Sequence, residues 1–186
     1  AANSGYQGAA TNSGTRGVAA NSGNYGAATN SGSRGAAANS GSCGAATNSG
    51  TCGIATNSGY QGAATNSGFQ GAATNSGFQG AAANSGYYGI ATNSGSCGAA
   101  TNSGDYGAAA NSGFQGTASS TGLHGVAMAV GAEGKVMGEK GNVLFLVYRN
   151  PDGSIKHYWA GLVGEKGIKP NVWYILNSEG EPEEIK

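Results

Sequence analysis

The chain repeats one short pattern of small apolar and polar residues over most of its length. The pattern is clearest in residues 63–71, where Ala-Ala-Thr is followed by Asn-Ser-Gly, two variable residues and a closing Gly, and residues 72–80 repeat it letter for letter. Ala-Ala-Thr suits a short β-strand. Asn-Ser-Gly suits a turn, because Gly adopts positive φ freely and Asn tolerates it. A turn every nine residues predicts an array of stacked parallel strands.

The spacing of the larger residues predicts how many units form one coil. Val18, Ile54, Ile90 and Val126 occupy the first position of their units and lie 36 residues apart. Most Thr residues at the third position follow an 18-residue phase. We therefore predict an all-β fold, a parallel β-solenoid (β-roll) with about 18 residues and two nine-residue units per coil.

The constancy of single positions predicts which side chains face inward. Side chains alternate between the two faces of a strand, and the second Ala of the unit is invariant from Ala10 through Ala118. We expect this Ala to fill a thin core, with the first and third positions on the outer faces. The Asn column, from Asn3 through Asn111, should stack in register as amide ladders.

The pattern changes after residue 134 to longer apolar runs, both Trp residues and most of the charge. We predict a repeat domain at 1–134 and a C-terminal antiparallel β cap at 135–186, because an open solenoid end exposes unpaired strand edges. An independent binding domain that uses Tyr158, Trp159 and Trp173 is the alternative. The predicted strands are 143–148, 155–163 and 172–176, with a turn at 150–153 and a short last strand after 180.

Composition and charge exclude several classes of protein. Of 186 residues 37 are Gly and only 10% are charged, and the only charged residues before Gly125 are Arg16, Arg34 and Asp105. A basic nucleic-acid interface is therefore not expected. No apolar run approaches membrane-spanning length, so membrane insertion is not expected either. Because Ala1 already stands inside a repeat unit, we expect the sequence to be part of a longer array.

No constellation of residues indicates catalysis, so we predict a non-enzymatic protein without a metal or cofactor. Cys43, Cys52 and Cys97 occupy the second variable position. An 18-residue coil places Cys43 and Cys52 on opposite edges, and Cys43 and Cys97 three coils apart, beyond disulfide reach. We expect free or intermolecularly paired thiols, with a metal or redox site as the alternative. His124 and His157 have no partners at metal-ligand spacing.

The first variable position indicates an exposed corner that carries aromatic rings. It also accepts Asn, Ser and Asp, which suits a position in contact with solvent. We predict that the chain self-associates through these corners, with stacking on carbohydrate as the alternative. By coil parity, Tyr60 and Phe78 share one edge, and Phe69 and Tyr87 share the other. The candidate residues are Tyr60, Phe69, Phe78, Tyr87 and Phe114.

A second candidate surface is the column of Thr residues at the third position. A flat, uncharged Thr/Ala face with one strand spacing between rows resembles the faces of ice-binding solenoids. The neighbouring rank here is Ala, Val or Ile rather than a second Thr rank. The candidate residues for binding ice or another ordered surface are Thr47, Thr56, Thr65 and Thr74.

The repeat also resembles known protein families. The tandem Ala-Ala-Thr-Asn-Ser-Gly-x-x-Gly units resemble the uncharacterised Ala/Asn/Gly-rich nonapeptide-repeat proteins of gut bacteria, which end in a similar β-rich segment. Gly-x-x-Gly-Ala-Ala is more distantly similar to the head coils of trimeric autotransporter adhesins. Calcium-binding β-rolls share the 18-residue coil, but Gly68–Ala73 carries Ala where their Asp ligand stands. The resemblance to the nonapeptide-repeat proteins carries no established activity. We expect an adhesin- or filament-like rod, displayed extracellularly or on a cell surface.

Overall fold

A computed structural model describes residues 1–185, and all their regular structure is β-strand. The strands are β1 (Ala2–Asn3), β2 (Ala9–Asn12), β3 (Val18–Asn21), β4 (Ala27–Asn30), β5 (Ala36–Asn39), β6 (Ala45–Asn48), β7 (Ile54–Asn57), β8 (Ala63–Asn66), β9 (Ala72–Asn75), β10 (Ala81–Asn84), β11 (Ile90–Asn93), β12 (Ala99–Asn102), β13 (Ala108–Asn111), β14 (Thr117–Ser120), β15 (Val126–Ala129), β16 (Lys135–Gly138), β17 (Val143–Arg149), β18 (Ile155–Leu162), β19 (Trp173–Leu176) and β20 (Pro182–Ile185).

The strands form a two-sheet solenoid. Odd-numbered strands from β1 to β17 make sheet 1, and even-numbered strands from β2 to β16 make sheet 2. Each repeat strand pairs in parallel with the strand two along the chain, so that Ala63 lies beside Ala81 and Asn66 beside Asn84. Equivalent residues two units apart are therefore neighbours, which confirms the parallel β-solenoid with about 18 residues per coil.

The core of the solenoid is a column of Ala methyl groups. Ala64 and Ala73, at the second position of their units, have no exposed surface, and the same holds for most of their equivalents. The first and third positions, such as Ala63 and Thr65, are half-buried on the outer faces. The predicted inward and outward positions are confirmed.

The Asn at the fourth position also faces inward and forms a continuous amide ladder. Asn66 Nδ2 donates hydrogen bonds to Asn84 Oδ1 at 2.7 Å and to Gly68 O at 3.1 Å. Asn66 Oδ1 accepts from Asn48 Nδ2 at 2.7 Å. The side chain is completely buried. The predicted ladder is confirmed except at Asn111, whose Nδ2 donates to backbone carbonyls instead. The ladder satisfies amides that would be costly to bury alone.

The glycines of the repeat are required by close packing rather than by positive φ. A Cβ on Gly68 would lie 1.8 Å from Gly50 O, and a Cβ on Gly71 would lie 2.3 Å from Asn66 Oδ1. The glycines with positive φ, such as Gly141 and Gly153, all belong to the C-terminal segment. The expectation that positive φ explains the repeat glycines is therefore wrong.

The peptide at each corner reverses its direction part-way along the array. Gln61 N–H donates back to Ser42 O of the preceding coil at 2.8 Å, whereas Gln79 N–H donates forward to Ser96 O at 2.9 Å. Gln79 has φ of 54°, and Gln61 is not among the residues with positive φ. The forward orientation begins at Gln70 and continues through the later corners.

The C-terminal segment continues the solenoid before it closes it. β16 and β17 still pair in parallel with β14 and β15, because Val136 and Leu144 fill the inward positions. Antiparallel pairing begins with β18, which pairs with β17, and with β19 and β20, which extend sheet 2. The predicted antiparallel cap is present, but its first two strands belong to the parallel coil.

Candidate functional site

The corners of the solenoid form two long edges. We call the corners that lead from sheet 1 to sheet 2 the first edge, and those that lead from sheet 2 to sheet 1 the second edge. Tyr60 and Phe78 lie on the first edge, and Phe69 and Tyr87 lie on the second. All four side chains are exposed.

On the first edge, the aromatic rings form isolated pairs. The rings of Tyr60 and Phe78 stack with their centroids 5.1 Å apart and an interplanar angle of 22°. Ser96 occupies the next corner, so Phe114 does not continue this row. The structure therefore groups two of the predicted residues on this edge and leaves Phe114 apart from them.

On the second edge, the rings form a continuous patch. Phe69 and Tyr87 stack at 5.6 Å and 10°. A second row stands beside them, in which Tyr106 lies 5.3 Å from Tyr88 and 5.3 Å from His124. We call these five residues the second-edge patch.

The two rows of the second-edge patch also touch each other. The Tyr87 ring meets the Tyr88 ring edge-on at 4.5 Å and the Tyr106 ring at 5.3 Å. Reduced contact of the Tyr87 hydroxyl with water, together with its neighbour Tyr88, raises the pKa of Tyr87 above its ordinary value. The Tyr87 hydroxyl is therefore neutral at neutral pH, beside the apolar ring faces of the patch.

Sequence reasoning missed most of the second-edge patch. Tyr88, Tyr106 and His124 occupy the second variable position, which also holds Arg, Cys and Gln elsewhere in the array. The three residues are spaced two repeat units apart, which places them on one edge in consecutive coils. This spacing could have identified them from the sequence. His124 packs against the Tyr106 ring and so extends the patch towards the cap.

The Thr candidates lie on the two outer faces as pairs in register. Thr47 is the direct partner of Thr65 in sheet 2, and Thr56 is the direct partner of Thr74 in sheet 1. The Thr column of sheet 2 is interrupted at Ala83. Each face therefore carries a single rank of hydroxyl groups beside a rank of Ala, Val or Ile.

The remaining candidate groups do not assemble into a reactive centre in the described chain. Cys43, Cys52 and Cys97 are free and exposed. Within residues 1–185, no three His, Cys, Asp or Glu side chains come close enough together to hold a metal ion. The same residues include no helix that is long and apolar enough to cross a membrane.

Neither protein-family models, nor curated proteins, nor solved structures match the chain.

Proposed function

We propose that this protein is a non-enzymatic rod that self-associates edge to edge, chiefly through the second-edge patch. The observation that carries the proposal is the continuity of the patch: five rings in two touching rows, all on one side of a narrow solenoid. Contiguous exposed apolar surface of this kind marks interaction sites more often than isolated exposed residues do. Tyr60 and Phe78 form a smaller contact of the same type on the first edge.

The size of the patch sets the strength that we expect. If each half-exposed ring contributes roughly 80–100 Å², two facing patches of five rings bury on the order of 800–1,000 Å² in total. That area only just reaches the smallest specific protein–protein interfaces, which bury about 1,000 Å². We therefore expect weak, concentration-dependent association between rods rather than an obligate dimer.

Sedimentation of two sets of variants tests the proposal. Replacing Phe69, Tyr87, Tyr88 and Tyr106 with Ser should reduce the mean oligomer size, while circular dichroism shows the solenoid still folded. Replacing Tyr60 and Phe78 with Ser should have a smaller effect, because these rings form only one stacked pair.

A third variant separates edge association from association through the faces. Replacing Thr47, Thr56, Thr65 and Thr74 with Lys charges both outer faces and leaves every ring in place. This variant should sediment as the wild type does. A wild type that is monomeric at all concentrations, or a Thr variant that loses assembly while the Ser variants keep it, contradicts the proposal.

A second candidate function is binding to ice or another ordered surface through a Thr face. It is supported by the register of Thr47 with Thr65, which places hydroxyl groups one strand spacing apart, about 4.7–4.9 Å. Ice-crystal growth in the presence of the wild type and the Thr-to-Lys variant tests it. Shaping of ice by the wild type, lost in this variant but kept in the Ser variants, would favour this function. Stacking on carbohydrate remains an alternative for the exposed rings.

The proposal also covers the cellular location of the protein. We infer that an adhesin- or filament-like rod of this kind acts outside the cell or at its surface. Fractionation of cells that express the chain, followed by protease treatment of intact cells, would check this placement.

A further inference from the structure

We propose that a cleft at the capped end of the first edge binds a small amphipathic carboxylate, such as a medium-chain fatty acid. The cleft has a volume of about 1040 Å³ and lies between the last corners of the first edge, the β17–β18 hairpin and the end of β19. This volume is at the upper end of the range of small-molecule sites, which are about 300–1,000 Å³. The second-edge patch lies on the opposite edge and takes no part in it.

The cleft exists because one corner of the solenoid is missing. The corner at residues 130–134 leads into β16, and the next corner on this edge should follow β17. Instead, β17 turns at residues 150–153 and runs back as β18, while β19 approaches β16 from the opposite direction. The space that another corner would occupy is left open to a ligand.

The missing corner leaves a backbone donor without its acceptor. Gln115 N–H donates to Ala132 O at 2.9 Å, so the Ala132 carbonyl faces the preceding coil. The peptide is planar and trans, hence the N–H of Glu133 faces the other way, towards the cleft that Glu133 lines. In the corners from Gln70 to Gln115 this N–H bonds forward to the next coil. Within residues 1–185 the Glu133 N–H has no acceptor.

Two cations line the same cleft. Arg149 Nε donates to Val130 O at 2.9 Å and its Nη1 donates to Gly153 O at 2.8 Å, which fixes the guanidinium in place. Lys135 is exposed at the start of β16. In the part of the chain that the structure describes, neither side chain forms an ion pair with a carboxylate.

The acidic side chain in the described lining of the cleft already has a hydrogen-bond partner. Glu133 is the acidic residue of the lining, and its Oε2 accepts a hydrogen bond from Gln115 Nε2 at 2.7 Å. Among residues 1–185, two cations and one backbone N–H donor therefore line the cleft against a single carboxylate, which is turned towards the preceding coil. This imbalance favours an anionic ligand whose oxygens accept several hydrogen bonds.

The rest of the lining is apolar, which indicates what the anion is attached to. Phe114, Val147, Ile175, Leu176 and Ile185 contribute aromatic and aliphatic surface, and Val147 and Leu176 are buried. An inorganic anion would leave this surface in contact with water. A carboxylate with an alkyl body uses both halves of the cleft, with its head at Arg149 and Lys135.

Calorimetric titration of the full chain with octanoate, decanoate and octanol tests the proposal. Decanoate should bind about tenfold or more tightly than octanoate, because each buried methylene strengthens binding roughly fourfold. Octanol should bind at least about tenfold more weakly than octanoate, because it lacks the charge that Arg149 and Lys135 recognise. Equal affinity for octanol and octanoate, or no binding of decanoate at millimolar concentration, overturns the proposal.

Charge variants locate the head group. Lys135→Gln should weaken octanoate binding about two- to fivefold, the range expected for an exposed charge. Arg149→Gln should weaken it about tenfold or more. Lys140→Gln, on the second edge and outside the cleft, should leave it unchanged. Arg149 also donates hydrogen bonds to two backbone carbonyls. If Arg149→Gln unfolds for this reason, octanoate binding by Lys135→Gln tests the position of the head group. An equal loss in Lys135→Gln and Lys140→Gln contradicts the assignment.

A variant that fills the cleft gives an independent test. Ala132 occupies the first variable position, which holds Phe one coil earlier at Phe114, so the corner should accept Ala132→Phe. The added ring should weaken octanoate binding without a change in charge, because it occupies part of the cleft. Ser42→Phe places the same ring on the same edge far from the cleft and should bind as the wild type does. Unchanged binding by Ala132→Phe overturns the proposed location.

Discussion

Replacing Gln79 with Gly should stabilise the solenoid, whereas replacing Gln61 with Gly should destabilise it. The two residues are the same type, lie in adjacent coils of the first edge and share one hydrogen bond, from Gln61 Nε2 to Gln79 Oε1 at 3.1 Å. Either substitution removes that bond. The sites differ in backbone conformation, because Gln79 has φ of 54° and Gln61 is not among the residues with positive φ.

The expected magnitudes follow from this difference. A left-handed conformation costs a residue with a Cβ about 1–2 kcal/mol, and Gly avoids this cost. Gly adds about 0.5–1 kcal/mol of lost chain entropy on folding at either site. Gln79→Gly should therefore gain up to about 1.5 kcal/mol, and Gln61→Gly should lose about 0.5–1 kcal/mol. The free energies of unfolding of the two variants should differ by about 1–2 kcal/mol, which is the cost of the left-handed conformation alone.

Chemical denaturation followed by circular dichroism measures the two variants against the wild type. Gln70 has φ of 57°, so a Gln70→Gly/Gln79→Gly variant should roughly double the gain if the two corners act independently. Shifts of the same sign and size in Gln61→Gly and Gln79→Gly would refute the reversal of the corner peptides.

Two further substitutions test the interior. Ala64→Leu should destabilise the solenoid by about 1–3 kcal/mol or more, because the inward position has no space for added methylenes. Thr65→Leu on the outer face should change stability by less than about 0.5 kcal/mol. Thermal melts in the opposite order would contradict the inward assignment of Ala64. Asn66→Ala should lower the free energy of unfolding, measured with denaturant, by about 2–5 kcal/mol, because it removes the ladder bonds to Asn48 and Asn84 and leaves buried amide groups unpaired. A loss below about 1 kcal/mol would contradict a stabilising role of the ladder.

Periodicity made most of the fold predictable from the sequence. The 18-residue phase of most third-position Thr residues, together with the 36-residue spacing of Val18 and Ile54, indicated the coil length. The constancy of the second Ala indicated the inward position, because a stacked array repeats each contact. The edge assignment of Tyr60, Phe78, Phe69 and Tyr87 followed from the same parity. Their stacking distances confirm the assignment.

Features without a period could not be predicted in this way. Gln61 and Gln79 are each preceded by an aromatic residue and followed by Gly-Ala-Ala, yet their peptides point in opposite directions. A two-residue corner can form with its central peptide in either of two opposite orientations. Local composition does not determine which one forms when neither central residue is Gly. The cleft could not be predicted for another reason. It depends on where β17 leaves the coil and where β19 joins sheet 2.

A nine-residue unit is half a turn of this solenoid, so a change in repeat number is also a rotation. Loss or gain of two units leaves every residue on its own edge. Gain of one unit between His124 and the cap would keep strand register and the Asn ladders, yet it would move the second-edge patch to the edge that carries the cleft. Slippage during replication of such a gene could thus alternate the side on which the rings appear, without any substitution and without a new fold.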